Sequence, residues 1–225
     1  MDSAPRWERA ADARRQPASL AKLMSALVVV QEGDLDQVVA VPPRAATARG
    51  SRLGLREGER LPARALLGAM VVGSANDACL ALALRNGGVE RFVARMNDGA
   101  RALGLRRTRF ADPCGFDADD QHSTARDLAR LAEAFMAEPQ LAALAGRRAL
   151  ALATADGRAL EVRTTNVLLE HFPGTLGVKT GRTRRAGHNL IVLAERGGRR
   201  VLLVMLGARD RWWDAHAILE RALAR

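Results

Sequence analysis

Apolar positions recur at helical spacing through the first two-thirds of the chain and at strand spacing through the last third. Leu20, Leu23 and Leu27 mark one face of a helix predicted to open at Pro17 and to run over residues 19–31. Residues 36–41 read as a short strand, and 42–60, rich in Pro, Gly, Ala and Arg, as a loop. Helical patterns follow over 62–72, 76–85 and 89–103, punctuated by Gly73 and by Gly87-Gly88. Thr124-Ala125-Arg126-Asp127 has the form of a capping box, opening a helix to about Ala137 that Pro139 interrupts.

After residue 147 the period changes to two. Segments 148–154 and 158–164 flank Ala155-Asp156-Gly157, a hairpin with an Asp-Gly turn. Further strands are predicted over 175–180, 189–195 and 199–206, the last two joined through Gly197-Gly198, and an amphipathic helix over 211–223. This order predicts an α+β fold: an antiparallel sheet flanked by helices, with a mostly helical subdomain inserted in sequence. One domain is expected over 1–225, its sheet part at about 1–18 and 147–225 and its helical part at about 19–146.

Composition narrows the function classes. At 225 residues and 48% hydrophobic content the chain can bury a core. Its most apolar stretches, 23–30 and 201–206, are core-sized, so no transmembrane segment is expected. Met1-Asp2-Ser3-Ala4-Pro5 has no apolar signal-peptide region. The net charge of +10 invites a nucleic-acid reading, yet aromatics are 4%, tyrosine is absent and the arginines are scattered, so no nucleic-acid partner is expected. Cys79 and Cys114 lack metal-ligand spacing; two buried free thiols are the favoured reading, with a disulfide in an oxidising compartment left open. No metal or other cofactor is implied.

The basic residues carry the sharpest signal. Of thirty-five, only Lys22 and Lys179 are lysine. Arginine stays protonated in proteins, whereas a desolvated lysine can act as a base. Ser19 and Lys22, three apart, share one face of a helix start, which suits a serine nucleophile beside its base. Alone, such a pair is more easily chance, and the scarcity of lysine in this chain shifts that balance. Ser74-Ala75-Asn76 lies on a turn between helices; Ser74 could relay a proton and Asn76 bond a substrate amide, and both also suit a helix cap. Lys179-Thr180-Gly181 ends an apolar strand, which at a sheet edge could bond an extended peptide, with Lys179 and Thr180 holding a carboxylate. S-x-x-K, S-x-N and K-T-G in this order match the signature shared by penicillin-binding proteins and class A β-lactamases.

The agreement extends further. Pro17-Ala18-Ser19-Leu20-Ala21-Lys22-Leu23-Met24, Ser74-Ala75-Asn76-Asp77-Ala78, Met96-Asn97 with Leu103-Gly104-Leu105, Ser123-Thr124-Ala125-Arg126-Asp127-Leu128, and Gly177-Val178-Lys179-Thr180-Gly181-Arg182-Thr183 with Ala186-Gly187 resemble segments of the serine-type D-alanyl-D-alanine carboxypeptidases, the low-molecular-weight penicillin-binding proteins. The resemblance covers the chain from about Arg6 to its closing helix. It implies a β-lactamase/DD-peptidase-like fold, a stem peptide of peptidoglycan ending in D-Ala-D-Ala as substrate, β-lactams as covalent inhibitors, and a periplasmic or cell-envelope location. By that likeness Ser19 is acylated, Lys22 is the base, Ser74 passes the proton to the leaving group, Asn76, Lys179, Thr180 and Gly181 bind substrate, and the N–H groups of Ser19 and Arg182 form an oxyanion hole. Only eighteen residues precede Ser19, so the family's first strand is expected to be shortened, and its C-terminal β domain is not expected here.

Competing readings are weaker. A class A-like β-lactamase needs a glutamate for deacylation, which Glu138-Pro139-Gln140-Leu141 echoes only faintly. Histidine-dependent and zinc-dependent hydrolysis lack G-x-S-x-G and H-E-x-x-H. A DD-endopeptidase, and an inactive homologue binding peptidoglycan or nucleic acid, remain alternatives.

Overall fold

A computed structural model describes residues 5–85 and 87–224. Ala18–Ala21 form a 3-10 turn that leads directly into α1 (Lys22–Glu32). Then come β1 (Val38–Ala40), α2 (Pro43–Ala46), β2 (Arg60–Pro62), α3 (Ala63–Val72), α4 (Asn76–Arg85), α5 (Gly88–Ala102), α6 (Ala125–Ala137) and α7 (Pro139–Ala145). The chain ends with β3 (Ala149–Ala153), β4 (Ala159–Arg163), α8 (Leu168–His171), β5 (Thr175–Thr183), β6 (Gly187–Arg196), β7 (Arg199–Ala208) and α9 (Arg211–Leu223).

The helical half wraps α1, whose residues from Lys22 to Val29 are all buried. A helix apolar on every side must sit inside a bundle. Its neighbours are one-faced: α5 buries Phe92, Met96 and Ala100 at steps of four, and α6 buries Leu128, Leu131, Ala132 and Phe135. The predicted cap of α6 is present, with the Thr124 hydroxyl accepting from Asp127 N–H at 3.1 Å.

β5, β6 and β7 form an antiparallel sheet in that order. Alternation along β6 divides the core. Ile191 and Leu193 join the helical half, while Leu190, Val192 and Ala194 pack with Ala215, Leu219 and Leu223 of α9. β5, which carries Lys179-Thr180-Gly181, lies at the edge of this sheet.

Three expectations are corrected. Residues 42–60 are not all loop: α2 interrupts them, and β2 pairs with β1 through Leu61 opposite Val39. Such three-residue strands exist only through a partner twenty residues away, so local pattern does not show them. Among the described residues, 5–18 add no strand to the sheet; Arg15 makes a lone bridge to Ser123. Cys79 and Cys114 are not free thiols. They form a buried disulfide whose Cα atoms are 5.9 Å apart.

Candidate active site

Ser19 lies inside the 3-10 turn and Lys22 at its end. In this geometry residues three apart eclipse, so the two side chains stack. Lys22 Nζ is 3.0 Å from Ser19 Oγ. It also donates to Asn76 Oδ1 at 2.7 Å and to the carbonyl of Cys114 at 2.5 Å. The lysine is 1% exposed. Burial lowers its pKa to about 7, against a smaller opposing pull from Asp112.

The carbonyl and amide oxygens of this cage can only accept. A neutral lysine therefore gives its two hydrogens to Asn76 Oδ1 and Cys114 O, and its lone pair faces the Ser19 hydroxyl, which can donate. Asn76 opens α4 and is itself held: its Nδ2 donates to Arg49 O at 2.6 Å and its N–H to Ser51 O at 2.7 Å. Ser74 is buried beside it with φ +59°, an uncommon value for a non-glycine residue, and makes no hydrogen bond with Ser19 or Lys22 among the described residues.

β5 passes directly alongside. A methyl group on Gly181 would stand 3.1 Å from both Pro17 O and Ser19 N, so glycine permits the approach. Lys179 is 2% exposed and its Nζ donates to Thr180 O at 3.3 Å. Burial, then the charges of Lys22 and Arg211, hold its pKa well below the ordinary lysine value. The hydroxyls of Thr180 and Thr165 are 2.6 Å apart. Arg182 is exposed next to them. All the expected site residues thus lie on the 3-10 turn and α1, the α3–α4 turn and β5, although Ser74 is not bonded to the Ser19–Lys22 pair.

Several contributors escaped sequence reasoning. Asn189 on β6 donates to Gln16 O and Pro17 O, both at 3.0 Å, fixing the stretch before Ser19 to the sheet. Arg211 opens α9, donates to Gly181 O at 3.1 Å and Asn189 O at 3.2 Å, and has a buried Nε without a partner among the described residues. It adds a third cation near Lys179 and Arg182. Asp112 accepts from Cys114 N–H and Phe116 N–H, both at 2.9 Å, and Ser25 Oγ donates to Pro113 O at 2.5 Å. The Cys114 carbonyl is a backbone group, so no side-chain motif could announce it. Glu138 lines a cavity of about 730 Å³ with Met24, Leu27 and Val28, and neither Ser19 nor Lys22 is among that cavity's lining residues. No His/Cys/Asp/Glu group able to hold a metal occurs among the described residues.

The sequence profile of the D-alanyl-D-alanine carboxypeptidase family (peptidase S11) matches residues 7–210. D-alanyl-D-alanine carboxypeptidase DacF of Bacillus subtilis is 30% identical over 208 residues, covering 90% of this chain and 54% of its own length. DacB2 of Mycobacterium tuberculosis is 34% identical over 210 residues, covering 90% of this chain and 72% of that protein. The chain thus spans about half the length of DacF and more of DacB2. The crystal structure of the Streptomyces K15 DD-transpeptidase superposes with a TM-score of 0.91 at 30% identity, covering 97% of this chain and 92% of that one. With the serine, both lysines and their supporting strand in one arrangement, the chain belongs to the D-alanyl-D-alanine carboxypeptidase family of serine peptidases.

Proposed function

We propose that the chain is a single catalytic domain that removes the terminal residue from peptidoglycan stem peptides ending in D-Ala-D-Ala. The observation that carries this reading is Lys22 Nζ, 3.0 Å from Ser19 Oγ, buried and titrating near neutrality. Ser19 Oγ attacks the penultimate carbonyl while its proton passes to neutral Lys22. The N–H groups of Ser19 and Arg182 receive the developing oxyanion, each such donor contributing about 3 kcal/mol. The tetrahedral adduct expels the D-alanine amine, protonated from Lys22 through Ser74. Water, losing its proton to Lys22, then cleaves the ester and regenerates the Ser19 hydroxyl. Asn76 bonds the substrate amide, while Lys179, Thr180 and Arg182, with Arg211 behind them, hold the terminal carboxylate against Gly181.

A β-lactam presents a strained amide to the same serine and is the natural probe. Intact-mass measurement after incubation with penicillin should show one adduct, absent in Ser19→Ala. A folded protein with no adduct would overturn the reading in favour of an inactive homologue. Glu138, facing another cavity, supports a peptidase over a class A-like β-lactamase. The disulfide is consistent with an oxidising envelope compartment. No helix among the described residues is long and apolar enough to cross a membrane.

A further inference from the structure

Lys22 is aimed by two oxygens that come from different parts of the chain, Asn76 Oδ1 at the start of α4 and Cys114 O in the loop before α6. Cys79 lies three residues beyond Asn76, one turn along α4. Its disulfide to Cys114 is therefore a covalent strap between the two segments that carry the lysine's acceptors. Cys114 Sγ also lies 3.9 Å from Asn76 O, and both half-cystines are 1% exposed. The loop's other restraints run elsewhere. Ser25 ties Pro113 to α1, Asp112 folds the loop on itself, and Gln121 accepts from Ala111 N–H and Asp112 N–H. Among these restraints on the loop, only the disulfide reaches α4.

We propose that the Cys79–Cys114 disulfide is a positioning element for the catalytic base, keeping the Cys114 carbonyl on Lys22 Nζ and the cage around it closed to water. It acts through Lys22 and touches no substrate. The inference rests on the function proposed above, in which Lys22 takes the serine's proton. Without the strap the loop can separate from α4. The two acceptors then no longer fix the lone pair on Ser19, and water reaches the amine. The charged groups facing Lys22 are Asp112 from the loop and Lys179 from β5, with Arg211 beyond Lys179. Burial is the dominant effect on Lys22 and Asp112 already favours its ammonium form, so rehydration raises the midpoint.

The test compares wild type with Cys79→Ala and with Cys79→Ala/Cys114→Ala, each first shown to be folded by its thermal transition. Ser19 acylation by penicillin is followed from pH 5.5 to 9, and Lys22 is titrated by NMR of 13C-labelled lysine, with Lys179→Arg assigning the two signals. The expected result is an acid limb and a Lys22 midpoint displaced upward by about one pH unit, with acylation slowed about fivefold at pH 7 and about tenfold at pH 5.5. Variants that melt earlier but keep the wild-type limb and midpoint would show a staple for stability alone and overturn the proposal. Because the NMR midpoint is independent of turnover, it decides the matter even if wild-type protein forms no adduct, an outcome that would instead remove the proposed function.

Discussion

An exposed lysine at pH 7 is protonated in all but about one molecule in 10³, whereas Lys22, its pKa lowered by burial to about 7, is neutral in about half. As the proposed base, Lys22 would work only unprotonated, so the lowered value moves the active form's onset from about pH 10.5 to about 7. Acylation by penicillin should fall about tenfold for each pH unit below this point and level off above it. A rate independent of pH between 5.5 and 7 would contradict this assignment. Lys22→Arg preserves charge but cannot accept a proton, so acylation should drop about 10²–10⁴-fold. Lys179→Arg keeps a cation for the carboxylate and should lose far less, mainly as a raised KM. Equal losses in the two variants would mean the lysines have been given the wrong division of labour. The serine and both lysines could be proposed from the sequence because the chemistry proposed for them depends on residue type. Asn189 and Arg211 gave no such sign, since each serves by donating to carbonyls that only the folded chain brings near.

Among the elements, α4 and α9 begin and end where the apolar period placed them, and α6 starts at its threonine cap. Long periodic helices declare themselves locally. The 3-10 turn, α2 and β2 do not, because tertiary contacts define them. The loop over residues 51–55 is a case in point. Its shape comes from Asp77, a buried carboxylate that accepts from the N–H groups of Leu53, Gly54 and Leu55 at 2.8–3.0 Å, and also from Ala78 N–H. Asp77→Ala should leave several backbone donors unsatisfied and cost about 3–5 kcal/mol, measurable by urea unfolding. A loss under 1 kcal/mol would show that water substitutes freely. Gly115 is constrained differently: at φ +87° a methyl group would lie 2.0 Å from Ala18 O. Gly115→Ala should therefore disturb the Ser19 turn more than Gly181→Ala, where the nearest atoms are 3.1 Å away.

Across the whole molecule the site is the seam between halves. The sheet supplies β5 and the Asn189 tether, and the helical half supplies α1, α4 and the strapped loop. The α+β class and the order of its parts were readable from the change of period near residue 147, whereas the pairing of Cys79 with Cys114 was not, because spacing leaves connectivity open. The location of Glu138 away from Ser19 bears on turnover. An opened lactam keeps its leaving amine tethered over the ester, while a departing D-alanine makes room for water. The penicilloyl-enzyme should accordingly persist while a diacetyl-Lys-D-Ala-D-Ala peptide turns over. Rapid multiple-turnover hydrolysis of a chromogenic cephalosporin without D-alanine release would move the chain among the β-lactamases.

The scarcity and burial of lysine also make the protein's outer surface bare of ε-amines, since Lys22 and Lys179 are 1% and 2% exposed. Amine-directed acylating reagents, which decorate most proteins at random, should leave both side chains untouched until the chain opens. Two mass increments appearing on lysine would then count unfolding events directly, making this chain its own reporter of conformational opening.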